Sequence, residues 1–171
     1  QKACYLVVLD LHTTDKKEVI QLFKDWTDYS SKLVEGELVK KDGSNALLPP
    51  TDTGETVGLN PYRLSLTFGV SADFLKKLGL ESKRPKLFRD LPPFPKEQLQ
   101  DKYTGGDIVI QACADDEQVA FHAVRNLFRS SLHLGCSKIC LISLKLIDRN
   151  RRPAYRSTSL RCSRLIKGLN I

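Results

Sequence analysis

The sequence predicts one α+β domain, a sandwich whose mainly antiparallel sheet carries helices on one face. Residues 4–10, 62–68, 107–114 and 139–147 are short apolar or alternating runs, which are typical of strands. Two further segments have apolar residues at three-to-four spacing, which is typical of amphipathic helices. The resulting order is strand, long helix, strand, short helix, strand, helix, strand, and this order is that of a split βαβ sandwich.

The first two elements are a strand and a long helix. Residues 4–10 are apolar and rich in β-branched side chains, so they predict the first strand. Thr14 can cap the helix that follows, Glu18 lies in its first turns, and Gly36 ends it. Its inward face is predicted to consist of apolar and aromatic residues: Val19, Leu22, Phe23, Trp26, Tyr29 and Leu33.

The middle of the chain places a strand and a short helix between two long loops, residues 40–61 and 81–103. Loops of that length are uncommon in a compact domain and often carry function. Ser71 is predicted to cap a short helix that continues through Leu78 and stops at Gly79. The strand at 62–68 alternates with period two, which places four side chains on one face: Tyr62, Leu64, Leu66 and Phe68.

The last elements follow the two-glycine turn Thr104–Asp107. Residues 107–114 predict a strand, and Asp115 with Gln118 resembles a capping box at the start of the next helix. That helix is predicted to turn six residues inward: Val119, Ala120, Ala123, Val124, Leu127 and Phe128. A final strand is predicted at Ile139–Ile147, and the whole arrangement is a ferredoxin-like α+β fold.

The excess of positive over negative charge lies in the last forty residues of the chain. The net charge is +7, but residues 1–131 hold 18 basic and 19 acidic side chains, whereas residues 132–171 hold 9 basic side chains and Asp148. We therefore expect residues 1–147 to form the folded module and residues 148–171 to be a basic, irregular tail. No run of apolar residues approaches the roughly 20 that a membrane-spanning helix needs.

The cysteines and histidines do not predict a metal or catalytic site. Five cysteines, an odd number, do not suggest a disulfide framework, and Cys4 and Cys113 are predicted to be buried free thiols. Cys136 and Cys140, with His133 nearby, lack the paired knuckles of a structural zinc site. His12 is predicted to lie in a surface turn and His122 to be a hydrogen-bonded packing residue of the last helix: neither is assigned as a catalytic base.

Several ordered motifs go beyond composition and periodicity. Together they resemble the N-terminal half of the dye-decolourising-type (DyP) haem peroxidases, and among these the deferrochelatase/peroxidase branch that accompanies ferrous-iron transporters in bacteria. The resemblance covers about residues 3–130. It rests on six segments: Pro50–Tyr62, Leu64–Gly69, Phe74–Leu80, Leu91–Pro95, Thr104–Asp107 and Ile110–Leu127.

This resemblance implies a fold, an activity and a cofactor. Members of the family consist of two ferredoxin-like modules, of the dimeric α+β barrel type, and the second module holds most of the haem b. They reduce hydrogen peroxide at the haem iron and oxidise dyes or other donors, and removal of iron from haem is proposed for the iron-linked branch. Many members are exported through the twin-arginine route, which implies a periplasmic or extracellular location.

The residues that carry this chemistry in the family are not matched here. The family uses a distal Asp in a GxxDG motif, a distal Arg, and a proximal His that ligates the iron. Asp42–Gly43 is the nearest match, but Val39 occupies the position of the first Gly, and Ser159–Ser163 stands where the motif is expected. No His follows His133. The resemblance therefore assigns no catalytic, cofactor-binding or metal-ligating residue, and we expect this N-terminal fragment to be inactive alone because the haem ligands are missing.

The resemblance ends just after Arg129, near the point where the charge balance changes. A reading-frame shift near residue 130 would explain this, as would a split or wrongly predicted gene model. The alternative function is a non-enzymatic module whose basic tail binds nucleic acid or anionic lipid. Tyr155 is the only aromatic residue of the tail, so only salt-sensitive, non-specific attachment to nucleic acid is expected. A third alternative is a homo-oligomer, in which sheets of two copies pair face to face.

Overall fold

The structure is a computed structural model that describes residues 1–39, 52–88, 91–92, 94–99, 104–134 and 136–145. The side chains of residues 133 and 137–145 are outside this description. Asp42–Gly43, residues 146–147, the tail at 148–171 and parts of both long loops therefore lie outside the described residues.

The described strands form one antiparallel sheet. They are β1 (Ala3–Asp10), β2 (Ser65–Val70), β3 (Ile108–Ala114) and β4 (Ser137–Lys145), in the order β2-β3-β1-β4. All three neighbouring pairs are antiparallel, and the β1–β4 register shifts between Val8 and Leu9. The prediction of an antiparallel sheet is confirmed, with the two central strands the most apolar because both of their faces are buried.

Within the described ranges, three α-helices connect these strands: α1 (Lys16–Glu35), α2 (Ala72–Lys77) and α3 (Glu117–Ser131). α3 packs on β1, β3 and α1. The core lies between the helices and alternate residues of the central strands, which confirms the prediction of helices on one sheet face. Its largest contributors are fully buried: Val7, Leu9, Leu22, Trp26, Ile108, Ile110 and Leu127.

Both long helices begin one residue later than predicted. The cap of α1 is Asp15 rather than Thr14, and its carboxylate accepts a hydrogen bond from the Lys17 N–H at 2.8 Å. The cap of α3 is Asp116 rather than Asp115, and its Oδ1 accepts from the N–H groups of the next turn at 2.8 and 3.2 Å. A carboxylate at the cap satisfies backbone donors that have no partner within the helix.

The strand predicted from residue 62 begins only at Ser65. Tyr62 and Arg63 have φ of +46° and +54°, so the chain turns there instead of extending. This turn allows Arg63 to donate two hydrogen bonds to Asp115, at 2.5 and 2.8 Å. The guanidinium lowers the pKa of the Asp115 carboxyl to about 2. The alternation of apolar and polar side chains predicts a strand, but it does not indicate which residues have a positive φ. It therefore places the start of the strand too early.

Gly36 ends α1 in the left-handed conformation, with φ of +80°. A Cβ at this position would lie 3.1 Å from Cδ of Pro61, so an alanine would be strained in φ and would also press on the proline ring. We expect Gly36→Ala to lower the free energy of unfolding by more than the about 1–2 kcal/mol of the φ penalty alone. Gly79→Ala is the matched control, because Gly79 has φ of +62° but open space around its Cβ position. Urea unfolding of both variants measures the difference, and equal losses would contradict the contact with Pro61.

Among the described residues, no helix is both long and apolar enough to cross a membrane.

Candidate functional site

A buried Asp–His pair joins the first long loop to α3. His122 Nε2 lies 2.7 Å from Asp52 Oδ1, and the side chains of the two residues are 1% and 2% exposed. A carboxylate only accepts hydrogen bonds, so the proton of this bond is on Nε2 of the ring. The other ring nitrogen, Nδ1, lies 3.2 Å from Oγ1 of Thr56. Both nitrogens of His122 are therefore engaged by residues of the same loop.

Asp52 is the centre of this arrangement. Its Oδ2 accepts a hydrogen bond from the Val39 N–H, and its Oδ1 accepts one from the Gly54 N–H, both at 2.8 Å. Burial by itself would raise the pKa of Asp52, but the hydrogen bonds from Gly54, His122 and Val39 outweigh it and hold the pKa below its ordinary value. Asp52 is thus a buried carboxylate whose charge is compensated by donors from three parts of the chain.

The exposed edge of the same loop also contacts α3. Glu55 forms an ion pair with Arg125, and its backbone carbonyl accepts a hydrogen bond from the Gln118 side chain. Gln118, His122 and Arg125 are spaced at i, i+4 and i+7, so they lie on one face of the helix. We call residues 52–56 together with this helix face the loop clamp.

The loop clamp contains an Asp, a His and a Thr within hydrogen-bond reach, which is also the composition of a hydrolytic triad. A triad needs a base that substrate can approach, and His122 is only 1% exposed. The arrangement therefore fixes the loop rather than activating a nucleophile. This confirms the prediction that His122 is a hydrogen-bonded packing residue. Sequence reasoning missed Asp52, although both residues lie in segments that carry the family resemblance.

A second polar cluster lies at one end of the sheet. Lys77 Nζ is 2.8 Å from Asp10 Oδ1 and 2.7 Å from Asp107 Oδ2, and Asp107 also accepts from the Leu11 N–H at 2.7 Å. Burial and the hydrogen bond with Asp10 raise the pKa of Asp107, whereas the hydrogen bonds with Asp107 and Lys77 lower the pKa of Asp10. Asp10, Lys77 and Asp107 line an open cavity of about 410 Å³ together with Asp73, Lys76 and Gly106.

His122 does not fit the axial ligand of a haem. An iron ligand needs a ring nitrogen that can reach the metal, and His122 is buried with both nitrogens engaged. His12 is exposed and lies close enough to Asp10 to lower the pKa of that carboxyl. The chain contains no Met. Among the described residues, no group of three or more His, Cys, Asp or Glu side chains could hold a metal ion.

The described cysteines are buried and form no disulfide, as predicted for Cys4 and Cys113. Cys136 is also a buried free thiol, and burial raises its pKa. The side chain of Cys140 and the whole of Cys162 lie outside the described part of the chain.

Comparison with known proteins gives consistent results for sequence and structure. Residues 1–134 match the family model "Dyp-type peroxidase, N-terminal". A deferrochelatase of Yersinia pestis is 33% identical over 132 residues, which are 75% of this chain and 30% of the relative. A deferrochelatase of Escherichia coli (strain K12) is 30% identical over 131 residues, which are 75% of this chain and 31% of the relative. The chain thus spans about 30% of the length of the curated relatives it matches.

Solved structures agree with this assignment and confirm the ferredoxin-like α+β fold. Ferric DtpA from Streptomyces lividans is 29% identical, with a TM-score of 0.75 over 92% of this chain and 40% of that one. A DyP-type peroxidase from Cellulomonas bogoriensis is 28% identical, with a TM-score of 0.72 over 92% of this chain and 41% of that one. Since the family model covers more than half of the 171 residues, the chain belongs to the DyP-type peroxidase family and carries its N-terminal module.

Proposed function

We propose that this chain is the N-terminal part of a DyP-type haem peroxidase of the deferrochelatase type. The complete enzyme reduces hydrogen peroxide at haem iron and releases iron from haem. The observation that carries the proposal is the match of residues 1–134 to the family's N-terminal module. The β2-β3-β1-β4 sheet, similar to solved DyP-type structures, supports it.

The second part of the proposal is that the 171 residues alone do not perform this reaction. The loop clamp uses both nitrogens of its histidine, and none of the family's distal Asp, distal Arg and proximal His is matched in the sequence. A separate module would have to supply the iron ligand and the proton-transferring carboxylate. In this proposal the chain supplies a folded module against which the second module packs, and it supplies none of the reacting groups. We assign residues 1–147 to the folded module and residues 148–171 to the tail.

Haem titration tests this proposal. We expect hemin added to the purified chain to give neither a stoichiometric Soret-shifted complex nor peroxide-dependent dye oxidation. A full-length relative, the Escherichia coli deferrochelatase, is the positive control for both readouts. Adding the separately expressed second module of that relative tests whether the two modules together form a haem site. A 1:1 haem complex of the chain alone with peroxide turnover would contradict the proposal.

A second candidate function rests on the 9 basic side chains of residues 132–171 against one acidic side chain. It is a non-enzymatic module whose tail attaches to nucleic acid or anionic lipid. Such attachment depends on phosphate charges and weakens steeply with salt. DNA and anionic-vesicle titrations in rising salt, with the full chain and with a chain lacking residues 149–171, distinguish it from the peroxidase proposal.

A further inference from the structure

Two cysteines that form no disulfide face each other across the two central strands of the sheet. Cys4 of β1 and Cys113 of β3 are direct partners in the antiparallel register. The two residues are 6% and 7% exposed, and neither belongs to the core between sheet and helices. Residues directly opposite in an antiparallel pair point to the same sheet face, so both thiols lie on the face opposite the helices.

The backbone hydrogen bonds show which kind of pair they form. Cys113 pairs with Ser65 of β2, and its carbonyl oxygen lies 3.5 Å from the Ser65 hydroxyl. Two residues farther on, the Asp115 N–H donates to the Tyr62 carbonyl, on the same side as β2. Alternate residues of a strand direct their backbone groups to opposite neighbours, so Cys113 bonds to β2 and forms a non-hydrogen-bonded pair with Cys4 of β1.

This kind of pair brings the two residues within disulfide range. Directly opposite residues in non-hydrogen-bonded antiparallel pairs have Cα atoms about 4.5 Å apart. Disulfides usually join Cα atoms about 4.4–6.8 Å apart. No strand has to move along its neighbour for the two sulfurs to meet, and only the side-chain torsions have to adjust.

We propose that Cys4 and Cys113 are a modification site, at which hydrogen peroxide forms a cross-strand disulfide. One sulfur attacks the peroxide O–O bond and becomes a sulfenic acid while a molecule of water is released. The other sulfur then attacks the sulfenic sulfur, the S–O bond breaks, and a second water leaves. In sum, two thiols are oxidised, one peroxide is reduced to two waters, and an S–S bond forms. This step uses no haem and therefore goes beyond the proposed function.

The surroundings of the pair include a polar side chain. The Gln111 side-chain N–H donates a hydrogen bond to Cys113 Sγ at 3.4 Å. Cys136 provides the contrast within the same chain. It is buried without a cysteine opposite it among the described residues, and the pKa of its thiol is raised.

The experiment treats the reduced, haem-free chain with hydrogen peroxide, followed by alkylation in denaturant and mass spectrometry. We expect two of the five thiols to resist alkylation and the intact protein to become about 2 Da lighter. Trypsin should then release a linked pair of peptides, residues 3–16 with 103–125, that separates on reduction. Diamide oxidises neighbouring dithiols without peroxide. It therefore tests whether the two thiols are close enough to form a disulfide, independently of their reactivity with peroxide.

Variants assign the bond. Cys136→Ser should leave the linked peptides unchanged, whereas Cys4→Ser and Cys113→Ser should abolish them and, in Cys4→Ser, leave a dimedone-reactive sulfenic acid at Cys113. Cys4→Ala and Cys113→Ala repeat the test with a smaller polar change, and circular dichroism confirms that each variant is folded. Linkage through Cys136, or thiols that stay separate after both oxidants, would overturn the site. Linkage by diamide but not by peroxide would overturn peroxide as the oxidant.

Discussion

Replacing Asp52 with alanine is expected to lower the free energy of unfolding by about 3–5 kcal/mol, because three donors would each lose a buried carboxylate acceptor at a cost of about 1–3 kcal/mol. The loss has an identifiable origin. The N–H groups of Val39 and Gly54 and the Nε2 of His122 would each lose a carboxylate acceptor at 2.7–2.8 Å. Buried donors without an acceptor are costly because water cannot replace the lost bond. Urea unfolding at neutral pH measures the change.

Arg125→Ala is the matched control for Asp52→Ala, because it removes the exposed ion pair of the same loop clamp. Arg125 is 45% exposed, so its pair with Glu55 is expected to contribute only about 0–1 kcal/mol. Equal losses in the two variants would show that the clamp acts through its surface charges rather than through the buried pair.

Acid should remove the contribution of Asp52 in the wild-type chain. The folded-state pKa of Asp52 lies below the ordinary 3.8, so its ionised form is stabilised by folding. This contribution is fully present above the unfolded pKa and is lost as the pH falls through the folded pKa. Asp52→Ala should therefore lose less stability than the wild type when the pH is lowered from neutral to below 3.8.

Replacing Trp26 with alanine is expected to lower the free energy of unfolding by about 3–5 kcal/mol. The indole is 1% exposed, and its ring is stacked on Phe68 with centroids 5.4 Å apart. Its Nε1 donates to the Leu127 carbonyl at 3.0 Å, so one side chain of α1 contacts both β2 and α3. Alanine would leave a cavity at the place where these three elements meet.

Trp26→Phe separates the two parts of this contribution. It keeps an aromatic ring in the core but removes the indole donor to Leu127, and we expect a loss of about 1–3 kcal/mol. Denaturant unfolding followed by circular dichroism suits both variants, since Trp26 is the only tryptophan and its fluorescence is lost with it. A loss in Trp26→Phe as large as in Trp26→Ala would assign the effect to the hydrogen bond rather than to packing.

The sequence predicted best those elements in which apolar residues recur at a regular spacing because one face of the element is buried. The spacing of apolar residues from Val19 to Leu33 predicts α1. The four buried residues of this helix, Val19, Leu22, Trp26 and Leu33, are all among those predicted to face inward. The ends of elements were less accurate. Thr14 and Asp15 are both good caps, and Asp115 and Asp116 are identical in type, so residue type alone does not choose between neighbours.

The candidate site was harder to predict from the sequence, because the residues that form it are distant along the chain. His122 was predicted to be a packing residue from the apolar residues around it. Its partner Asp52 lies 70 residues away, in a loop without periodicity. The Cys4–Cys113 pairing likewise depends on register, which is set by strand pairing and not by either strand's own residues.

The position of β1 at the centre of the sheet has a consequence for how the protein is made. β1 occupies residues 3–10, but its two neighbours are β3, at residues 108–114, and β4, at residues 137–145. A ribosome therefore releases β1 long before either hydrogen-bonding partner exists, and contacts of such high sequence separation form slowly. During synthesis the apolar strand Ala3–Asp10 is therefore without both of its hydrogen-bonding neighbours until β3 and then β4 are made. The sheet closes only when more than a hundred further residues have emerged.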